Sequence, residues 1–292
     1  MKLAFSSMHP LINFLYYIGV MILCMVCLHP VFLIGAICII LILNIVQGNG
    51  AKLRKMLPST LFFTLIITIA NPLLTHRGST ILFYIGFNPI TLEAVTYGYT
   101  MALSLAVIMF TFTSYNEMIS SHKFLYLFSR VSPKVALLTM ITVRFVPLFM
   151  RRLTHITLVQ KTKGVQVDAG SLKERAQNGM KLLQVLLVCS LEEALQTADS
   201  MQARGFGVTK RSTYIRYRMG RRDWFILSLF VILFVCCLFG VSKGYGILTI
   251  YPKVESLFLA RNDVIVFIPF LMYISLPILI EGREWLWWRM QK

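Results

Sequence analysis

Apolar residues fill most of this chain in long runs. Runs able to cross about 30 Å of hydrocarbon occur at residues 11–28, 31–47, 58–75, 92–115, 224–241 and 263–280. They predict an all-α, polytopic membrane protein with about six transmembrane helices. The pattern divides the chain into an N-terminal four-helix membrane region (9–115), a polar central region (116–222) and a C-terminal pair of membrane helices (223–292). The first two runs are joined only by His29-Pro30, a tight and nearly uncharged turn. Asn71-Pro72 interrupts the end of the third. Within 78–93, STILFYIGFNPIT sets β-branched and aromatic residues between Gly and Pro signals, and predicts a short structured loop or hairpin.

The central region opens with Asn116-Glu117 and an amphipathic stretch, HKFLYLFSRV, closed by Ser132-Pro133. Two stretches that end alike follow. Residues 137–164 read LLTMITVRFVPLFMRRLTHITLVQKTKG, and residues 178–205 read NGMKLLQVLLVCSLEEALQTADSMQARG. Aligned on their final glycines, they are offset by 41 residues. Each starts apolar, turns polar midway and stops at a basic residue followed by glycine: Thr162-Lys163-Gly164 and Ala203-Arg204-Gly205. A helix that leaves an apolar phase, enters water and closes on a glycine C-cap reads this way. Two such helices imply two equivalent partners, each taking one basic tip. Arg144 and Pro147 break the apolar half of the first repeat and make it a poor transmembrane span. Ser171-x-x-Glu174 has the spacing of a capping box that starts a helix. Ser190-x-x-Glu193 repeats that spacing where the second repeat turns polar. These segments are expected at or under the membrane surface, with polar ends in the cytoplasm.

Composition sharpens this reading. Mean hydropathy is +0.71, and 14% of residues are charged, against about 25% in a soluble domain. The net charge of +17 invites a nucleic-acid reading, but its distribution excludes it: 18 of the 29 Lys and Arg lie between Glu117 and Arg222, and the apolar runs carry almost none. That is the loop bias of a membrane protein. With both termini inside, the inside segments hold 25 Lys and Arg and the outside segments 4. The N-terminal stretch has one Lys and no small-residue cleavage site, so an uncleaved first helix is expected. Trp285, Trp287 and Trp288, flanked by Arg283 and Arg289, suit an interfacial anchor.

Several chemistries have no residues to carry them. The spans hold no Asp, Lys or Arg well inside their apolar cores; Glu93, Asp223, Asp263 and Glu281 lie at span ends. An ion-coupled carrier usually needs a buried ionisable group or a broken-helix ion site. There is no G-x-x-x-x-G-K-[ST] loop to hold ATP, no G-x-S-x-G nucleophile motif, and no paired-histidine metal motif among His9, His29, His76, His122 and His155. Cys24-x-x-Cys27 sits inside an apolar run, as do the other four cysteines, and reads as packing. Neither a catalytic residue, a metal nor a cofactor is expected.

The residues quoted resemble the transmembrane T component (EcfT family) of energy-coupling factor (ECF) transporters, an ABC-type importer class. In that family two long cytoplasmic coupling helices each end in an Ala-Arg-Gly-type motif that docks in a groove on an ABC-type ATPase. Ala203-Arg204-Gly205, within SMQARGFG, matches it; Thr162-Lys163-Gly164 departs from it by placing Lys where Arg is usual. NPLLTHRG, NPITLEAVTYG, SYNEMISSHKFLYLF and VRFVPLFMRR are further similar pieces, and the resemblance covers most of residues 9–210. It implies a cell-membrane scaffold that assembles with two ABC-type ATPase subunits and a substrate-binding membrane S component for vitamin or metal-ion uptake. ATPase docking falls to Ala203, Arg204, Gly205, Thr162, Lys163 and Gly164.

From the residues alone, an arginine at a helix tip suits a bidentate contact with a partner carboxylate, and the glycine ends the helix and admits close backbone approach. Leu137, Leu138, Met140, Met180, Leu183 and Leu187 offer either an adaptable sliding face for a membrane partner or ordinary packing. Two rivals need different residues. A membrane-embedded enzyme acting on lipid or polyprenyl substrates needs an acidic or metal cluster, for which only Glu192, Glu193 and Asp199 stand together, in the pattern of a solvated helix face. A stand-alone carrier needs buried polar groups.

Overall fold

The computed structural model describes residues 4–75, 78–85, 88–129, 132–165, 170–208, 217–251 and 261–290. They form an all-α membrane protein with one small hairpin. The elements are α1 (Ala4–Ser7), α2 (Pro10–Val26), α3 (Pro30–Val46), α4 (Gly50–Leu74), β1 (Ile81–Ile85), β2 (Asn88–Thr91), α5 (Leu92–Met118), α6 (Ser121–Ser129), α7 (Pro133–Thr162), α8 (Leu172–Ala203), α9 (Arg221–Ser242) and α10 (Arg261–Met290).

Among the described residues, α4, α5, α7, α9 and the Asn262–Gly282 part of α10 are long and apolar enough to cross a membrane. The α2 and α3 helices were expected as spans but have 17 residues each, about 25 Å at 1.5 Å per residue. They are strongly apolar, each with one buried asparagine (Asn13 and Asn44), and stand at the short end of the lengths that cross a bilayer. Conversely, α7 reaches span length. Pro147 lies inside it without ending it, so Arg144 and Pro147 do not divide the segment as its sequence predicts. Asn71-Pro72 likewise sits within α4, which runs on to Leu74.

The short helices start in matching ways. His9 and His29 are N-caps whose Nδ1 atoms accept from the N–H groups of Leu11 (3.2 Å) and Val31 (3.3 Å). Proline follows each at the first helical position, where its missing N–H costs nothing and its φ is preset. The predicted hairpin is present, with Ile81 opposite Thr91 and Ile85 opposite Asn88. The Glu93 carboxylate fastens it to α5. Its Oε1 accepts from the Ser79 hydroxyl (3.1 Å), the Thr80 N–H (3.1 Å) and the Thr80 hydroxyl (2.6 Å), and a carboxylate in the first turn also suits the helix dipole.

The chain forms two compact units, Met1–Phe124 with Tyr217–Lys292, and Leu125–Arg216. The first has a dense aromatic core: Tyr16, Tyr17, Tyr273, Phe5, Phe32 and Phe270 are fully buried. Tyr16 stacks on Tyr273 with centroids 5.8 Å apart and donates to the Ile274 carbonyl at 2.9 Å. The core is not wholly apolar. The hydroxyls of Tyr17 and Ser114 share a hydrogen bond at 2.7 Å, Ser114 donates to the Gln47 side-chain carbonyl at 2.7 Å, and the Gln47 amide donates to the Tyr17 hydroxyl at 3.4 Å. Asn44 ties α3 to α5 by donating to the Phe110 carbonyl at 3.2 Å, and Ser104 ties α5 to α2 through the Cys24 carbonyl at 2.8 Å. These hydrogen bonds clamp helices together where water is excluded, although the Asn44 side-chain oxygen is buried without a hydrogen-bond partner. Where α4 and α5 touch, a Cβ on Gly98 would lie 2.9 Å from Asn71 Cβ and 3.2 Å from the Thr68 carbonyl oxygen, so only glycine fits.

The second unit contrasts with this. Among the described residues of α7 only Ala136 is buried, and of α8 only Leu182. The Trp285, Trp287 and Trp288 anchor expected at the chain's end lies in α10, where side chains fall outside the described residues.

Candidate functional site: two basic helix tips

Each tip is built by the same backbone device. The α7 helix ends at Thr162, Lys163 is its C-cap and Gly164 takes φ +83°. The Gly164 N–H donates to the Lys161 carbonyl (3.1 Å) and the Val165 N–H to the Gln160 carbonyl (3.0 Å). The α8 helix ends at Ala203, Arg204 is its C-cap and Gly205 takes φ +76°. The Gly205 N–H donates to the Gln202 carbonyl (2.9 Å) and the Phe206 N–H to the Met201 carbonyl (3.0 Å). These are the paired bonds of a Schellman cap, and the left-handed residue at its centre favours glycine because a Cβ there strains the backbone. All six expected docking residues therefore sit at two equivalent helix ends. Thr162, Lys163, Gly164, Ala203 and Arg204 are exposed, and Gly205 is half-buried.

The cap itself is not the signal. Gly48 and Gly244 close α3 and α9 with the same pair of bonds, and Lys243-Gly244 is even a basic residue before glycine. What sets Lys163 and Arg204 apart is the helix pair that carries them. The α8 helix starts at the predicted capping box: Ser171 Oγ accepts from the Glu174 N–H (3.3 Å), and the Glu174 carboxylate accepts from the Ser171 N–H (2.9 Å). The second predicted box does not start a helix. Ser190 lies mid-helix with its hydroxyl on the Leu186 carbonyl (2.6 Å), because α8 runs unbroken past it.

Glu193 has another task. Its Oε2 lies 2.8 Å from Arg152 Nη1, and the same nitrogen of Arg152 donates to the Cys189 carbonyl at 3.3 Å. This ion pair joins α7 to α8, and its two members are themselves 41 residues apart, the offset of the repeat. Lys163 lies 11 residues past Arg152, and Arg204 lies 11 past Glu193, so each tip stands about 16 Å of helix beyond the joint. The pair was legible only as opposite charges at equal repeat positions. Glu193 thus leaves the acidic face on which an enzyme reading would draw, while Glu192 and Asp199 stay exposed. Among the described residues no three His, Cys, Asp or Glu gather as a metal ion requires. Cys24 and Cys27 are both fully buried, in keeping with packing.

The apolar residues that offer either a sliding face or ordinary packing are mostly turned outward. Leu138, Met140, Met180, Leu183 and Leu187 are exposed, and Leu137 is half-buried. Packing within the chain covers about half of Met140 and Leu183 and more of Leu137, and less of Leu138, Met180 and Leu187.

Comparison with known proteins gives the family. The family model CbiQ, described as cobalt transport protein, matches residues 6–215, a stretch that includes both tips and the Arg152–Glu193 joint. The chain is 26% identical over 200 residues to the energy-coupling factor transporter transmembrane protein EcfT of Staphylococcus aureus (strain 04-02981), covering 64% of this chain and 73% of that one. To the EcfT of Streptococcus thermophilus (strain ATCC BAA-250 / LMG 18311) it is 30% identical over 197 residues, covering 62% and 73%. To the EcfT of Lacticaseibacillus paracasei it is 36% identical over 92 residues, covering 31% and 35%. An all-α membrane chain with two repeated basic helix ends, matched over this length, belongs to the CbiQ/EcfT family of energy-coupling factor transporter transmembrane proteins.

Proposed function

We propose that this chain is the motor-less scaffold of an ECF-type ABC importer in the cell membrane. It couples ATP hydrolysis by two ABC-type ATPase subunits to a separate substrate-binding membrane subunit, for uptake of a vitamin or a metal ion. The observation that carries this reading is the pair of exposed basic tips, Lys163 and Arg204, set at equal distance past the Arg152–Glu193 joint. Each tip enters an acidic groove on one ATPase. Arg204 makes a two-pronged contact with a carboxylate, while Lys163 contributes a point charge without the fork. A stiff helix pair tied at one point carries movement of the two ATPases toward the membrane. The exposed Met and Leu residues of α7 and α8 give the substrate-binding subunit a surface that repacks as it turns. The chain performs no catalysis; its work is transmission. The Lys and Arg bias supports a cytoplasmic central region with both termini inside.

Reconstitution in liposomes tests the proposal. The chain alone should accumulate neither vitamins nor divalent metals, and with two ATPases and a substrate-binding subunit it should support uptake that requires ATP. Accumulation by the lone protein under a proton or sodium gradient would contradict it. The orientation has its own check: a cysteine at Ser171, on a background without native thiols, should resist an impermeant reagent applied to intact cells.

A further inference from the structure

The two tips share a backbone but not a surface. After Gly164 comes Val165, half-buried. After Gly205 comes Phe206, followed by Gly207 at φ +91° and Val208, whose N–H donates to the Gly205 carbonyl at 3.2 Å. Phe206 is therefore held between two left-handed glycines, in a knuckle that a side chain at either flank would strain. In a Schellman cap the residue at this position normally packs back on the third residue from the helix end, here Met201. Phe206 is nonetheless 46% exposed, beside an exposed Arg204 and a Val208 that is 82% exposed. At the α7 tip the equivalent pair is Val165 and Gln160, with no aromatic ring.

We propose that Phe206 is the second half of the α8 tip: an aromatic anchor that fills an apolar pocket beside the carboxylate taking Arg204, so that this tip grips its ATPase subunit more tightly than the α7 tip grips the other. Arginine and an aromatic ring two residues apart are the side chains that dominate small protein interfaces. A ring needs no counter-charge, so its contribution persists in salt while that of Arg204 is screened. The two ATPase grooves then differ in what they must offer. One needs an acid next to an apolar pocket, and the other an acid alone. The inference rests on the docking of the tips and assigns the α8 tip the role of the retained grip.

The test uses the full-length chain carrying Lys163→Ala, so that binding to ABC-type ATPase subunits of its own organism reads the α8 tip. Phe206→Ala should weaken binding on the order of tenfold, and Phe206→Leu should retain most of it. The residual affinity of Phe206→Ala should fall steeply as salt rises, whereas that of Arg204→Ala should be nearly flat. If Arg204→Ala weakens binding while Phe206→Ala matches its parent in affinity and salt response, the anchor is wrong and docking stands. If neither change matters, the docking reading itself fails. Equal losses in Phe206→Ala and Phe206→Leu, with reduced helix content, would make Phe206 a cap residue and overturn the inference.

Discussion

The aromatic membrane unit and the α7–α8 unit put similar side chains to opposite use. In the first, Tyr16, Tyr17, Phe32, Phe270 and Tyr273 point inward and are fully buried, and neutral hydrogen bonds lock their helices. In the second, Leu138, Met150, Met180, Leu187 and Leu195 are exposed, and one ion pair joins the two long helices. On the proposed function these exposed faces serve assembly, so damage to the first unit should be read in stability and damage to the second in assembly.

Three sets of variants sharpen that contrast. The largest effect belongs to Gly19→Val, since a Cβ on Gly19 collides with the Tyr273 hydroxyl, whose ring is wedged against Tyr16 and Phe230. Overpacking there should cost about 3 kcal/mol, seen as a lowered Tm in detergent. Gly179→Val on α8, where a Cβ meets nothing within 4 Å, should leave Tm near the parent's; an equal fall at both sites would erase the distinction. Next, Arg152→Ala leaves Glu193 without its ion partner. The Arg152 and Glu193 side chains are 36% and 24% exposed, so the cost should be about 1 kcal/mol. It should appear as faster hydrogen exchange in α7 and α8 only, and the reversed pair Arg152→Glu with Glu193→Arg should recover part of it. The smallest belongs to Tyr17→Phe, which opens the Tyr17–Ser114–Gln47 ring of hydrogen bonds for about 0.6 kcal/mol; a Tm drop as large as that of Gly19→Val would mean the ring, not the aromatic packing, holds the unit.

Much of this architecture is readable in the residues, and the rest fails for physical reasons. Hydrophobic runs locate α4, α5, α9 and α10, because burial in lipid demands apolarity whatever the partner. Ser171 and Glu174 announce the start of α8, since capping is local. The glycine ends are equally local, and both tips fall where the repeat puts them. Ser190 and Glu193 mislead because the same spacing recurs inside a helix, and only the partner, Arg152, tells which role Glu193 plays. Tyr17, Ser114 and Gln47 meet across 97 residues of chain, 17 to 114, and no local pattern brings them together. The His-Pro starts of α2 and α3 were present as a signal at both 9–10 and 29–30, yet a histidine cap is uncommon enough to pass as a scattered side chain. The exposed ring at Phe206 stands outside the basic motif itself and emerges only from its place between two left-handed glycines.

On the proposed function, Lys163 and Arg204 transmit ATPase work without holding the protein together. The most direct measurement is copurification of the ATPases and transport-linked ATP hydrolysis for Lys163→Ala with Arg204→Ala, set against Tm of the isolated chain. Loss of the Arg204 contact alone should remove roughly 1.5–3 kcal/mol of binding. The double variant should lose both ATPases and all coupled hydrolysis while its Tm stays unchanged. A double variant that keeps the ATPases and full transport would contradict the account.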